Sequence, residues 1–311
     1  MVELGDRGTD LLAELVEPTR RRGMKLYARI LEGFGSSLAS LFPNWTRVLS
    51  VDVYGRLSHL PCWNNPDYRR WWLATVEDLF KSYPLDGFKF GSERSGPLTN
   101  LLAGAYHGGT VPVCFCEHCR ARGRELGIRV EEARTGLRLL HEQVTALLAG
   151  EPTPTDGALV TLLRLLLKYP EVLAWERMWH RSREEACKEM YAAIKLIRPE
   201  AQVGWHLYHN GTTWLVLHRA LTEYAELAYY SDWLKPVLYH DIAGPRIHRD
   251  IAHQQQRFLR ELSRPQILEL LYAVMGYDPQ LEPAYEELSE RGLSPDYVYR
   301  ETRRCVEGVG G

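Results

Sequence analysis

The chain has 311 residues, 45% of them hydrophobic and 25% charged, the composition of an ordinary globular protein with one large domain or two small ones. A formal net charge of -2 offers no basic excess for a phosphate backbone, so nucleic acid is not an expected partner. The longest apolar run, residues 159–167, is broken by Thr161 and Arg164 and falls well short of the ~20 apolar residues of a membrane span. Met1 is followed by Glu3, Asp6 and Asp10 rather than by the apolar core of a secretory signal, so no membrane association and a cytoplasmic location are expected.

In chain order, Thr9 can cap a helix carrying Leu11, Leu12, Leu15 and Val16 at helical spacing. Residues 24–31 read as a buried strand ending at Glu32, before Gly33-Phe34-Gly35. Residues 36–63 are loop-like around the apolar run 48–53. Asn65-Pro66 opens a helix with Trp72, Val76, Leu79 and Phe80 facing inward, and residues 85–91 form a second strand that delivers Ser92, Glu93 and Arg94 to its C-terminal end. A long loop over 95–113 leads to a cysteine cluster, a connection length that usually signals function. Helices follow over about 117–126, 130–148, 155–168 and 171–197, then a strand over 202–208, further strands at 227–230 and 237–240, and a mostly helical tail.

Helices alternating with short apolar strands that end in polar residues predict a parallel α/β fold, with a (β/α)8 TIM-barrel-like architecture first and a doubly wound sheet second. The expected organisation is one domain over 1–311, with a cysteine-rich loop and helical insertion at about 95–200. The pattern opens on a helix and closes on one, as a barrel repeat interrupted at both ends would. Strand C-termini form the active-site face of a barrel, which would gather Glu32, Glu93, His206, Tyr208, Asp232, His240 and Asp241.

Three of the six cysteines fall in Cys114-Phe115-Cys116-Glu117-His118-Cys119. Without regular spacing along the chain they do not form a secreted disulfide scaffold, and a C-x-C-x-x-C turn points to metal and reduced thiols. Three thiolates are one ligand short of a closed tetrahedral zinc site; His118 is available, though strained between two ligands of so short a turn. Cys187 and Cys305, both in helical segments, read as inert thiols. Trp175 and Trp179, one turn apart, read first as a core stripe.

The order Cys62, then Asn64-Asn65-Pro66-Asp67-Tyr68-Arg69, then Glu93, then Cys114-x-Cys116-x-x-Cys119 resembles that of the zinc-containing family 42 β-galactosidases and related glycosyl-hydrolase-like barrels. The match covers residues 62–120, about a fifth of the chain. The resemblance implies a four-cysteine structural Zn2+ site made by Cys62, Cys114, Cys116 and Cys119. It further implies Glu93 as the general acid/base of an O-glycosyl hydrolase acting on a carbohydrate, and homo-oligomeric assembly. The family places Asn before that Glu, whereas this chain has Ser92, with Arg94 following. A cation beside Glu93 would favour its ionised form, the wrong direction for an acid at neutral pH; Arg94 could instead bind an anionic sugar or a phosphate.

A glycosidase needs a second carboxylate, for which Asp241 leads and Asp232 and Glu32 follow. Trp63, Arg94, His206, Tyr208 and His240 complete the expected substrate-binding set, with Trp63 carried over the cleft by Cys62. Two other functions fit the same residues: a sugar lyase or isomerase using His206 or His240 as base, and a carbohydrate-binding barrel without catalysis.

Overall fold

The computed structural model describes residues 8, 10–32, 42–103, 111–207 and 215–310. Asp10 caps the first helix, α1 (Leu11–Arg21), its Oδ1 accepting from the Ala13 amide at 3.0 Å; Thr9, the expected cap, lies outside the described residues. Strand β1 (Tyr27–Leu31) follows. The stretch expected to be loop contains a 3-10 turn (Trp45–Val48) and an antiparallel hairpin, β2 (Leu49–Val51) and β3 (Leu57–Pro61). Helix α2 (Pro66–Ser82) opens as the sequence predicts, with Asn65 as cap and Pro66 in the first turn, and leads to β4 (Gly87–Gly91).

Among the described residues, five helices separate β4 from β5 (Gln202–Leu207): α3 (Pro97–Ala103), α4 (Glu117–Glu125), α5 (Val130–Leu148), α6 (Ala158–Lys168) and α7 (Glu171–Ile197). Helix α3 occupies part of the expected 95–113 loop, with a proline in its first position, where the missing amide donor costs nothing. After β5 come α8 (Val216–Leu221), α9 (Tyr224–Ala228), β6 (Trp233–Pro236), α10 (His240–Gln255), α11 (Arg264–Met275), α12 (Leu288–Arg291) and α13 (Pro295–Gly308).

Two expected strands are corrected in this last part. Residues 224–228 form helix α9, because Tyr224 and Leu227 lie three apart and bury one helical face, a pattern that a four-residue apolar run does not reveal. The apolar residues 237–240 follow β6 rather than form it, and His240 begins α10. Pro236 closes β6 at the end of the sheet order, a place where a residue without an amide donor does no harm.

The sheet is parallel and ordered β1-β4-β5-β6. Strands that neighbour in space follow in chain order without reversal, the hairpin being a separate two-stranded sheet. One face is apolar. Phe88 and Phe90 of β4 and Val203, Trp205 and Leu207 of β5 pack with Trp72, Val76 and Phe80 of α2 and Met190 and Ile194 of α7. Successive strand residues alternate faces, so Gly87, Lys89, Gly91, Gly204 and His206 look the other way. A second cluster joins α5, α6 and α7 to the cysteine segment, where Phe115 stacks on Trp175 at 4.7 Å, and a third unites α10, α11 and α13. Among the described residues no helix is long and apolar enough to cross a membrane.

One buried acid gives this fold a testable electrostatic signature. Asp250 of α10 lines an apolar cavity of about 250 Å³, and burial raises its carboxyl from an ordinary 3.8 to about 8, against the pull of Arg257. Between those values the folded chain holds a proton that the unfolded chain has released, so stability falls as pH rises through the window. Asp250→Asn keeps the shape and removes the titration. The melting temperature of the variant relative to wild type is expected to climb from about pH 5 to about pH 8, read by calorimetry; a constant difference would mean that Asp250 is ionised in the fold.

Candidate active site and cysteine centre

The C-terminal ends of β1, β4 and β5 meet side by side, with Leu31 opposite Gly91 and Gly91 opposite His206. Glu32, just past β1, is buried, and its carboxylate collects three donors: Tyr68 Oη at 2.8 Å, Arg94 Nη1 at 2.8 Å and the Ser92 hydroxyl in a short hydrogen bond. The Arg94–Glu32 ion pair is closed to solvent, with side-chain exposures of 1% and 0%. The rest of the guanidinium lies over the Trp179 ring at 5.7 Å.

Ser92 and Arg94 both turn inward to Glu32, and the residue between them turns out. Glu93 keeps 27% of its side chain exposed and meets His206 Nε2 at 3.1 Å. Arg94 therefore pairs with Glu32, while Glu93 meets an imidazole. The His206 ring is 3% exposed and its Nδ1 has no hydrogen-bond partner among the described residues. A neutral ring protonated at Nε2 can donate to a carboxylate, while the other tautomer accepts from a carboxylic acid. The second arrangement holds one proton more than the first, so the contact can accommodate Glu93 as either carboxylate or acid, which is the property an acid/base needs.

The other expected site residues are scattered. Trp63 is only 2% exposed and packs in the core against Tyr68 at 4.9 Å and Phe90 at 6.2 Å. Asp232 precedes β6, so it lies at the opposite edge of the sheet. There it bonds the Val203 amide at 2.7 Å and Lys195 at 2.8 Å. His240 and Asp241 occupy the first turn of α10, where the His240 carbonyl accepts from Leu293 at 2.9 Å and Asp241 Oδ1 from Ile242 at 2.8 Å. Tyr208 lies outside the described residues.

Sequence reasoning missed a buried group on α7. Glu184 lines a narrow cavity together with Ser92, His206, Arg183 and His218, and its Oε1 lies 3.3 Å from His180 Nε2. Burial opposes its charge, but the His180 contact and the Arg183 and Lys188 cations hold its carboxyl below the usual range, so Glu184 is an anion in the cavity that His206 also lines. His180 and Glu184 are one helical turn apart, a signal that is present in the sequence but too common to choose by itself.

The four cysteines do converge. Their sulfurs lie within 4.8 Å of one another, all buried, with Cys62–Cys119 at 3.4 Å and Cys62–Cys116 at 3.5 Å. These separations are too long for disulfides and close to the ~3.8 Å edge of a thiolate tetrahedron around a ~2.3 Å metal ion. Four N–H groups point at the sulfurs: Val51 and Cys116 amides at Cys114, and the Asn64 amide and side-chain Nδ2 at Cys62 and Cys119, each at 3.3 Å. Such donors are the outer-shell partners expected of metal-bound thiolates. His118 faces Glu117 at 3.7 Å with 32% exposure and is not one of the four grouped ligands. Cys187 and Cys305 stand apart from the group, and burial pushes the Cys187 thiol up to about 12.

The residues between Cys62 and Glu93 explain how these parts are joined. Asn65 caps α2 through its Oδ1, accepting from the Asp67 amide at 2.9 Å, while its Nδ2 bonds Arg47 O at 2.9 Å. Tyr68, one turn on, reaches Glu32. Arg69 ties the Trp63 carbonyl at 2.7 Å to Glu189 at 2.9 Å and Glu185 at 3.0 Å on α7.

No protein-family model matches the chain, and no curated protein matches it. Solved structures that resemble it include the cold-adapted β-galactosidase from Rahnella sp. R3, at TM-score 0.43 and 14% identity over 79% of this chain and 35% of that one. The β-galactosidase from Bacillus circulans sp. alkalophilus gives 0.41 and 15% over 78% and 35%. The polyextremophilic β-galactosidase of the Antarctic haloarchaeon Halorubrum lacusprofundi gives 0.43 and 17% over 74% and 32%. The chain spans about a third of the length of these structures.

The Glu32–Arg94 pair predicts a specific non-additivity. Removing one partner strands the other charge in the interior, so Arg94→Met is expected to cost about 3–5 kcal/mol in urea unfolding. Arg94→Met combined with Glu32→Gln should recover a large part of that loss. A single-variant cost below about 1 kcal/mol would show that the pair is not the anchor.

Proposed function

We propose that this chain is a carbohydrate-acting hydrolase of the (β/α)-barrel type, a single domain in which Glu93 is the general acid/base. The observation that carries this reading is the Glu93–His206 contact at the C-terminal edge of a parallel sheet, with Glu93 the solvent-accessible carboxylate among the buried groups 92–94. Parallel strands that follow one another in chain order, with α2 and α7 on one face, wind in a single direction. That supports a barrel over a doubly wound sheet, whose order would reverse.

In a glycoside reaction Glu93 would give its proton to the departing glycosidic oxygen, and His206 Nε2 would hold the carboxylate that remains. The second carboxylate has two candidates. Asp241, past the end of β6, is the one expected from the sequence; Glu184 is favoured by its place in the cavity that also touches His206 and by its ionised state. The buried Glu32 and Arg94 act on the reaction only through the orientation of residues 92–94.

Cys62, Cys114, Cys116 and Cys119 would hold a zinc ion as a closed four-thiolate centre. With no open coordination position such an ion supplies structure and no Lewis acid to substrate. It would fasten the end of the β2–β3 hairpin to the start of α4 and, through Asn64, to the start of α2.

Two measurements test this reading. Aryl glycosides should be hydrolysed by the wild type, with kcat lowered about 10²-fold or more in Glu93→Gln and by a comparable factor in either Glu184→Gln or Asp241→Asn. Full activity in Glu93→Gln would overturn the assignment. The purified chain should carry roughly one zinc ion, lost in Cys116→Ala together with several degrees of melting temperature; a fully folded, zinc-free wild type would sink the metal centre.

A further inference from the structure

The face of the sheet turned away from the aromatic core carries an arrangement of cations that nothing so far accounts for. Arg29 of β1 stands directly opposite Lys89 of β4, and Lys235 of β6 stands opposite His206 of β5. Since Phe88, Phe90, Trp205 and Leu234 belong to the core face, Lys89, His206 and Lys235 all project from the other. The charges of Lys235 and Arg29 both act on Lys89 across this face. Lys235 also donates to the Tyr239 hydroxyl and lies 4.6 Å from the centre of its ring. None of the three cations forms an ion pair with a carboxylate among the described residues, and Arg29 is exposed while the two lysines are half-buried.

The ground around them is built from small and flat groups. Gly204 fills the position between Lys89 and Trp233, and the Trp233 ring lies so close over it that an added Cβ would meet ring carbon at 2.1 Å. Gly87 is covered in the same way by Tyr27, whose ring sits edge-on to Trp233 at 6.3 Å. Glycines in the sheet thus let two aromatic rings approach the backbone on the face that carries the cations, and rings and cations together suit a sugar with an acidic group. One row further along the strands, at about 7 Å, is His206 with Glu93 in contact.

We infer that Arg29, Lys89 and Lys235 form a binding site for the anionic group of an acidic saccharide, a uronate carboxylate or a sulfate ester, one sheet row from the Glu93–His206 pair. The inference rests on the hydrolase reading for the sugar and on the cation cluster for the acid. It moves the anion-binding role that the sequence assigns to Arg94, which is buried and paired with Glu32, to cations that no carboxylate among the described residues pairs with. The state of Lys89 agrees: partial burial, followed by the charges of Lys235 and Arg29, lowers its ammonium from 10.5 to about 8. A bound anion would reverse that cost, and like charges held together without one are at their least favourable.

The experiment is a calorimetric titration of the full chain with galactose, galacturonate and galactose 6-sulfate at low salt. At least one acidic sugar is expected to bind about tenfold or more tightly than galactose, the two acidic arms telling carboxylate from sulfate. The advantage should disappear in Lys89→Met and Lys235→Met and survive in Lys89→Arg and in Arg20→Met, a distant surface control, with folding of each variant followed by circular dichroism. Equal affinity for neutral and acidic sugars, or an advantage that persists in both methionine variants, would overturn the site. Acidic sugar bound without any glycoside turnover would support this site while defeating the hydrolase reading; turnover of neutral glycosides with no acidic preference would do the reverse.

Discussion

The arrangement at the strand ends depends on one buried carboxylate and the donors it attracts. Glu32 cannot be ionised in the interior without partners, and it has three, drawn from β1's neighbour strand and from α2. Two of these, Ser92 and Arg94, are alternate residues of the same segment. Satisfying Glu32 through both leaves Glu93 facing outward toward His206, so a requirement of the interior sets the direction of the accessible acid. The same demand explains why a serine stands at 92: its short hydroxyl reaches the second Glu32 oxygen from a buried position.

Much of this architecture was legible in the residues. The long helices 130–148 and 171–197 announced themselves by apolar periodicity, and α2 by its Asn-Pro start, because those signals are local. The four cysteines were legible as a set only when the order of motifs supplied Cys62, since no local rule links residues so far apart in sequence. What failed to be legible was direction. Glu32 and Arg94 were expected to face a ligand as charged residues near strand ends, and Trp63 because it adjoins Cys62, and all three are buried. Strand ends leave the regular pleat, and the alternation that assigns faces along β4 and β5 stops being a guide there. Short elements were misplaced for a related reason: in α9 and β6 four or five residues are too few for a period to show.

The two sides of the sheet follow different rules. On the helix side Phe88, Phe90 and Trp205 fill space against α2 and α7, and large side chains are required. On the other side Gly87, Gly91 and Gly204 remove side chains altogether, so that Tyr27, Leu31 and Trp233 can lie over the backbone. A strand whose alternate residues are aromatic and glycine has one face for packing and one for approach. Lys89 and Lys235 stand on the second, and no carboxylate among the described residues pairs with them, while Arg69 reaches Glu185 and Glu189 on α7 and Arg94 pairs with Glu32.

The segment from Cys62 to Arg69 behaves as a ruler. Within eight residues it supplies a sulfur to the cysteine group, two N–H donors to sulfurs, a helix cap, a hydroxyl to Glu32 and a guanidinium to α7. In a helix each added residue turns the following ones by about 100°. An insertion or deletion between Asn65 and Arg69 would therefore swing Tyr68 or Arg69 off its partner while leaving the cysteines untouched. Length variation in this protein should be tolerated on the outer loops and refused in this short stretch, where chain length itself is the functional quantity.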